Sequence, residues 1–92
     1  MATYVMMGKY SAEAIKGISA RRSDEAKALI KKHGGELKAG YALLGGVDLV
    51  LVVELPDTAR AMAVSAALAK ATGIAFTTAP ALSIEEFDKM MG

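Results

Sequence analysis

The fold is decided by a glycine turn and the apolar run that follows it, which read 44-LGGVDLVLVVEL-55. Successive side chains of a strand point to opposite faces, so Leu49 and Leu51 point one way while Val50 and Val52 point the other. Both faces are therefore apolar at the middle of the strand, a pattern typical of burial on both sides. The segment predicts a central strand that is covered by two different partners.

The size and composition of the chain indicate a single domain over residues 1–92, with a high fraction of apolar residues for its length. Hydrophobic residues make up 53% of the 92 residues, and the mean hydropathy is +0.33. A chain this short has a large surface fraction, which is normally polar. We therefore expect part of the apolar surface to be covered in a subunit interface.

Charge, cysteine content and apolar run length exclude several classes of protein. The 11 basic and 10 acidic residues leave a net charge of +1, with no basic field for nucleic acid or an anionic membrane. Without cysteine there is neither a disulfide nor a thiolate metal site. No apolar run approaches the ~20 residues of a membrane span, and the N-terminus has no export signal. These features predict a cytoplasmic protein without nucleic-acid or membrane partners.

Hydrophobic periodicity and capping residues predict the order of the elements. The predicted strands cover residues 3–10, 36–43, 47–54 and 74–79. The predicted helices cover residues 11–18 and 19–33, the segment between Asp57 and Gly73, and residues 83–91. This order predicts a split βαβ arrangement, in which a four-stranded antiparallel sheet carries two helices on one face.

Several local expectations accompany this arrangement. Gly45-Gly46 is expected to form a two-residue hairpin turn, and Pro80 is expected to end the fourth strand. Leu37, Ala39, Tyr41 and Leu43 are expected to share one face of the second strand.

The final helix is expected to begin with a capping box. In that motif Ser83 and Glu86 lie three residues apart. Met90 and Met91 are expected to pack this helix against the rest of the protein.

The helices of this arrangement cover one side of the sheet, so the other side needs a partner. We expect a homo-oligomer, most simply two sheets packed face to face. The candidate interface residues are Leu49, Leu51, Val50 and Val52. Burial of each such side chain contributes about 1.5–3 kcal/mol, which is sufficient to drive association.

The chain resembles the GYD domain proteins, small bacterial and archaeal chains named for a Gly-Tyr-Asp motif. The similarity runs over nearly the whole chain. It is carried by Met1-Ala2-Thr3-Tyr4-Val5, by Gly34-Gly35, by Gly46-Val47-Asp48 at the naming motif, by Glu54-Leu55-Pro56-Asp57, and by the segment 80-PALSIEEF-87. The resemblance implies a ferredoxin-like fold of the dimeric α/β-barrel type, oligomeric, with no established molecular function. Val47 replaces the tyrosine of the motif, so any role of that phenol is absent here or is taken by Tyr41.

Two residues near chain turns have both a structural and a chemical interpretation. His33, the single histidine, excludes a multi-histidine metal site within one subunit. As a cation, His33 would interact favourably with the C-terminal end of the helix dipole. The alternative is a role as a general acid or base. Asp48 is expected to bond backbone N–H groups in the turn, or else to serve as an acid at the rim of a pocket.

Arg22 and Tyr41 complete the candidate pocket. The stem of Arg22 is expected to lie on apolar surface while its guanidinium meets a carboxylate or a ligand anion. Tyr41 is an ordinary strand aromatic or a pocket hydroxyl. The sequence contains no nucleophile–base pairing, phosphate loop or metal-ligand spacing, so it predicts no metal site and no cofactor.

Three functions remain open on the sequence. The leading hypothesis is an oligomeric small-molecule-binding or regulatory module without catalysis. Its ligand would lie in a cleft between sheet and helices or between subunits. The alternatives are a cofactor-independent enzyme acting on a small apolar substrate, which rests on fold analogy alone, and a purely structural assembly subunit.

Overall fold

A computed structural model describes residues 1–92 and contains one four-stranded sheet with the strand order β2-β3-β1-β4. The strands are β1 (Ala2–Tyr10), β2 (Glu36–Ala42), β3 (Leu49–Leu55) and β4 (Ile74–Ala81). The helices are α1 (Ala12–Lys16), α2 (Ala20–Lys32), α3 (Thr58–Thr72) and α4 (Ile84–Met91). Every pair of neighbouring strands is antiparallel. The predicted ferredoxin-like α+β fold is confirmed.

The helix boundaries follow from side-chain caps and one glycine. The Oδ1 atom of Asp57 accepts a hydrogen bond from the backbone N–H of Arg60 at 2.8 Å and begins α3. Gly73 ends α3 at φ 74°, a left-handed conformation that is favourable only for glycine. The Ser83 hydroxyl accepts from the N–H of Glu86 at 3.1 Å and begins α4, as the capping box predicts.

The core lies between the sheet and helices α2 and α3. Met6, Val53 and Leu55 point from β1 and β3 toward the helices and are fully buried. Helix α2 contributes Ile30 to this core, and helix α3 contributes Val64 and Leu68. The apolar periodicity of α2 and α3 therefore serves one side of the sheet, which we call the helix face.

The other side of the sheet is not covered by any helix, and we call it the open face. Strand register places Met7 between Val50 and Thr77, and Val5 between Val52 and Ala79. The members of the open face are Thr3, Val5, Met7, Lys9, Glu36, Ala39, Tyr41, Val50, Val52, Glu54, Ala75, Thr77, Ala79 and Ala81. Most of its central residues are half-buried, and they are mainly apolar.

The prediction of a two-residue hairpin turn at Gly45-Gly46 is wrong. The connection between β2 and β3 is the longer loop 43–48. It is closed by a hydrogen bond from the N–H of Leu43 to the carbonyl of Asp48 at 2.8 Å. A type I′ turn requires positive φ at both central residues, and here Gly45 has φ 150° whereas Gly46 is not at positive φ.

The predicted faces of β2 are wrong because the strand contains a bulge. Register shifts between Leu37, which pairs with Val53, and Ala39, which pairs with Val52. The extra residue reverses the alternation of side chains. Leu37 therefore lies on the helix face, whereas Ala39 and Tyr41 lie on the open face.

Pro80 does not end β4, which continues to Ala81. Pro80 pairs with Tyr4 of β1. Strand β4 is an edge strand with β1 as its neighbour on one side. No second strand therefore requires a hydrogen bond from the N–H group that proline lacks.

The expectation that Met90 and Met91 pack α4 against the protein is also wrong. They are 70% and 72% exposed, and no residue of α4 is buried. The helix forms through its own cap and backbone hydrogen bonds, with its apolar side uncovered.

Candidate functional site

The main concave feature is a groove of about 610 Å³ between α2 and the helix face at the β2 edge of the sheet, which we call the α2 groove. Leu37, Leu49 and Leu51 form its apolar floor. The groove exists because α2 leaves the β2 edge partly uncovered and because Gly40 has no side chain. A Cβ atom at Gly40 would meet the Cδ2 atom of Leu51 at 3.1 Å.

The wall that α2 contributes is basic. Arg22, Ser23 and Lys27 line the groove from this helix, and Lys38 lines it from the bulge of β2. Lys38 contacts Glu36 with an N–O distance of 3.6 Å, whereas Lys27 forms no ion pair. The ammonium group of Lys27 is therefore available to a ligand anion.

Arg22 connects α1, β1 and the groove. Its Nη1 atom donates to the carbonyl of Ala14 in α1, and its guanidinium carbon lies 5.7 Å from the centre of the Tyr10 ring. This distance is in the range of a cation–π interaction. The guanidinium carries five N–H donors, so one bond to Ala14 leaves others for a ligand.

Asp48 has a structural position at the end of the sheet. Its Oδ2 atom accepts from the N–H of Tyr10 at 2.9 Å, and its own N–H donates to the carbonyl of Gly8 at 2.8 Å. The loop 43–48 is thereby fastened to β1. Asp48 does not line the groove and forms no ion pair with Arg22.

His33 lies apart from the groove, at the C-terminal cap of α2. Its Nδ1 atom is 2.9 Å from the carbonyl oxygen of Leu29, and its own carbonyl accepts from Nη1 of Arg60 at 3.3 Å. Of the four candidate pocket residues, Arg22 and Tyr41 line the α2 groove, Asp48 lies beside it, and His33 is remote.

The candidate interface residues are divided between the two faces of the sheet. Val50 and Val52 lie on the open face, whereas Leu49 and Leu51 lie on the helix face and line the α2 groove. The four residues do not form one continuous surface.

Apart from Arg22 and Tyr41, the groove residues were not predicted as pocket residues, and Tyr10 and Lys27 are two of them. Tyr10 belongs to the first predicted strand and Lys27 to the predicted helix 19–33, and neither residue type indicates a binding site by itself. The spacing of Ser23 and Lys27, one helical turn apart, was the available signal. This spacing does not indicate a groove by itself, because the groove also depends on the bulge at Lys38, which opens the edge of the sheet.

The protein has no cluster of three or more histidine, cysteine, aspartate or glutamate side chains placed to hold a metal ion. None of its four helices has both the length and the apolar character that a membrane crossing requires.

A four-stranded antiparallel sheet with helices on one face defines a ferredoxin-like α+β domain, and the α2 groove adds a concave site on its helix face. Residues 4–91 match the model of the GYD domain family, so the chain belongs to that family. No curated protein matches the sequence at a significant level.

The fold is similar to that of a regulatory protein of known structure, the leucine response regulatory protein of Mycobacterium tuberculosis. The TM-score is 0.59 at 11% sequence identity, over 89% of this chain and 51% of that one. This chain therefore spans about half of the regulator, and at this identity the likeness shows the fold alone.

Proposed function

We propose that this protein is a homo-oligomeric regulatory module that binds a small apolar anion in the α2 groove and catalyses no reaction. The observation that carries the proposal is the combination of an apolar floor, formed by Leu37, Leu49 and Leu51, with the unpaired ammonium group of Lys27 on the wall.

The chemistry of the groove favours a monocarboxylate with a hydrophobic body. Small-molecule sites have volumes of about 300–1,000 Å³ and combine apolar walls with a few polar groups. The leucine side chains of the floor would cover the hydrophobic body. Lys27 and Arg22 would contact the carboxylate, since a charged pair gives the strongest hydrogen bonds.

The regulatory part of the proposal is supported by the shared fold of the leucine response regulatory protein. Leucine combines a carboxylate with an apolar side chain, but its α-ammonium group would find no carboxylate in the α2 groove. An aromatic acid of similar size, which lacks the ammonium group, is therefore the principal probe, and leucine is the second.

The oligomeric part is supported by the open face. Val5, Met7, Val50 and Val52 form a contiguous apolar centre there through strand pairing. A monomeric protein rarely exposes such a patch. Two copies packed face to face through these residues would cover it in both chains.

The non-catalytic part is supported by the hydrogen bonds of Asp48. Its carboxylate already accepts from the N–H of Tyr10 and does not line the groove. No other carboxylate lines the groove either, so the site lacks a base within reach of a bound molecule.

Isothermal titration with phenylacetate and with L-leucine tests the proposal, with the neutral phenylacetamide as the control ligand. We expect phenylacetate to bind and phenylacetamide to bind more weakly by a factor of roughly 10–100, because a hydrogen bond to a charged group contributes about 1.5–3 kcal/mol. Lys27→Gln should weaken phenylacetate binding to a similar extent. Lys70→Gln, an exposed lysine in the last turn of α3, should leave it unchanged.

The ligand proposal is contradicted if neither acid binds, or if the acid and the amide bind equally well. It is also contradicted if Lys27→Gln and Lys70→Gln have the same effect, because the cation of the groove would then play no role.

A further inference from the structure

Helix α4 has an apolar side that nothing in its own chain covers. Ile84, Phe87 and Met91 are spaced three and four residues apart and share one side of the helix. Ile84 is 79% exposed and Phe87 is 52% exposed. A helix of this length is marginal in water by itself and normally depends on packing of its apolar side.

A second uncovered apolar element is the loop 43–48. Leu44 is fully exposed and Leu43 is 42% exposed at the end of β2. The side chain of Tyr41 is beside them on the open face and is 62% exposed. We call this group the Leu44 corner.

The strand pairing places these two elements at opposite corners of the same sheet. β2 and β4 are the two edges of the sheet. The Leu44 corner follows Ala42, which is level with Leu49 and Gly8, whereas α4 follows Ala81, which is level with Thr3. The two elements are therefore separated by the width and most of the length of the sheet, and they cannot meet within one chain.

We propose that α4 of one chain packs on the Leu44 corner of a second copy, and that the second copy returns the same contact. This inference rests on the proposed homo-oligomer. Two facing sheets can be related by a twofold axis that lies between them, parallel to both and perpendicular to the diagonal joining these corners. Rotation about this axis places α4 of each chain opposite the Leu44 corner of the other chain. One operation therefore covers both elements in both chains, as a self-complementary interface requires.

The area of the open face favours this exchange. Four strands about 4.8 Å apart and about seven residues long, at ~3.4 Å per residue, give a projected area of roughly 460 Å². Each partner of a stable dimer usually contributes about 800 Å². The apolar side of α4 and the Leu44 corner supply additional area at the border of the open face.

The position of α4 makes this area continuous with the open face. Ser83 and Glu86 share a surface depression with Thr3 and Val5, which belong to the open face. A partner sheet that covers Val5 therefore extends directly to the start of α4.

The charges of the two elements are complementary. Helix α4 carries three carboxylates, of which Glu85 forms an ion pair with Lys89 at 3.6 Å, so Glu86 and Asp88 remain without a cation in their own chain. The Leu44 corner is adjacent to Lys9, an exposed residue of the open face whose Nζ atom donates to the carbonyl of Gly46 at 3.1 Å. The acidic helix of one chain would thus approach the lysine of the other.

Disulfide trapping tests the exchange, since the natural chain contains no cysteine. In the double variant Leu44→Cys/Phe87→Cys, the two positions follow Ala42 and Ala81, which lie roughly 20 Å apart across three strand spacings and five residues of rise. A disulfide requires Cα atoms within about 7 Å. Any disulfide between these positions must therefore join two chains.

The matched control is Leu44→Cys/Met62→Cys. Met62 is an exposed apolar residue of α3, on the opposite side of the molecule from the open face. Under mild oxidation at micromolar concentration, we expect the Leu44/Phe87 variant to form a covalent dimer at least about tenfold faster than the control, because proximity raises the effective concentration. As a second measurement, Phe87→Ser should weaken self-association about tenfold, and Met62→Ser should not.

The outcomes separate the exchange from the proposed function. If sedimentation shows a dimer but the Leu44/Phe87 variant is cross-linked no faster than the control, the exchange is wrong and the homo-oligomer stands. If the native chain sediments as a monomer, the exchange and the oligomeric part of the proposed function are both wrong.

Discussion

The helix face and the open face of the sheet are built from the same strands and are both apolar at their centre, yet only the helix face has a covering layer. Met6 on the helix face is fully buried, whereas its neighbour Met7 on the open face is only half-buried. In β3, Val53 is fully buried beside the half-buried Val52. An apolar strand pattern therefore shows that both faces favour burial, but the topology decides which face a single chain can cover.

This contrast separates two sources of stability. Burial on the helix face belongs to the folding of each chain, so it is independent of protein concentration. Burial on the open face belongs to association under the proposed function, so it should depend on concentration. Neighbouring residues on the two faces provide matched tests.

The largest effect is expected from Met6→Ala, compared with Met7→Ala. Met6→Ala removes a fully buried side chain and should lower the free energy of unfolding by about 2–5 kcal/mol. Met7→Ala should have a smaller effect that grows with protein concentration. Urea denaturation of both variants at two protein concentrations measures the difference. Equal losses at both concentrations would contradict the contrast between the faces.

A more selective effect, on association and not on the folding of each chain, is expected from Val50→Lys. Val50 lies between Met7 and Tyr41 on the open face. Burying an unpaired ammonium in place of valine should cost at least about 3 kcal/mol, which raises the dissociation constant of the oligomer more than 100-fold. Sedimentation velocity measures this change, and circular dichroism should show that the fold is retained.

Met62→Lys is the control for this variant, because Met62 is 69% exposed on α3. It should not change the sedimentation coefficient. If Val50→Lys assembles as well as Met62→Lys does, the open face is not the interface.

The smallest effect is expected at Asp48, where the loop 43–48 joins the start of β3. Asp48→Ala leaves the N–H of Tyr10 without its acceptor and should cost about 1–2 kcal/mol of unfolding free energy. Asp48→Asn retains a side-chain oxygen and should cost less. Thermal denaturation measures both variants. Similar losses for the two variants would show that the hydrogen bond to Tyr10 is not the role of this side chain.

The element order and the ends of the helices could be predicted from the sequence because their signals are local. Asp57 and Ser83 cap helices through their own side chains, and Gly73 occupies a conformation that favours glycine. The alternation of Val50 with Leu51 in β3 was likewise sufficient to predict that the two residues lie on opposite faces.

The errors arose where distant contacts decide the local structure. Nothing near Lys38 indicates a bulge, which depends on pairing with β3, and nothing near Gly45 shows that Asp48 is held by β1. The α2 groove depends on that bulge and on the placement of α2, so only Arg22 and Tyr41 among its lining residues were predicted.

Sedimentation equilibrium of the natural chain at micromolar concentration tests the central claim most directly, since the claim is that a second copy covers the open face. The chain has a mass of 9.6 kDa. We predict a mass of at least twice that value, decreasing toward it on dilution. A mass of 9.6 kDa at all concentrations would contradict the account.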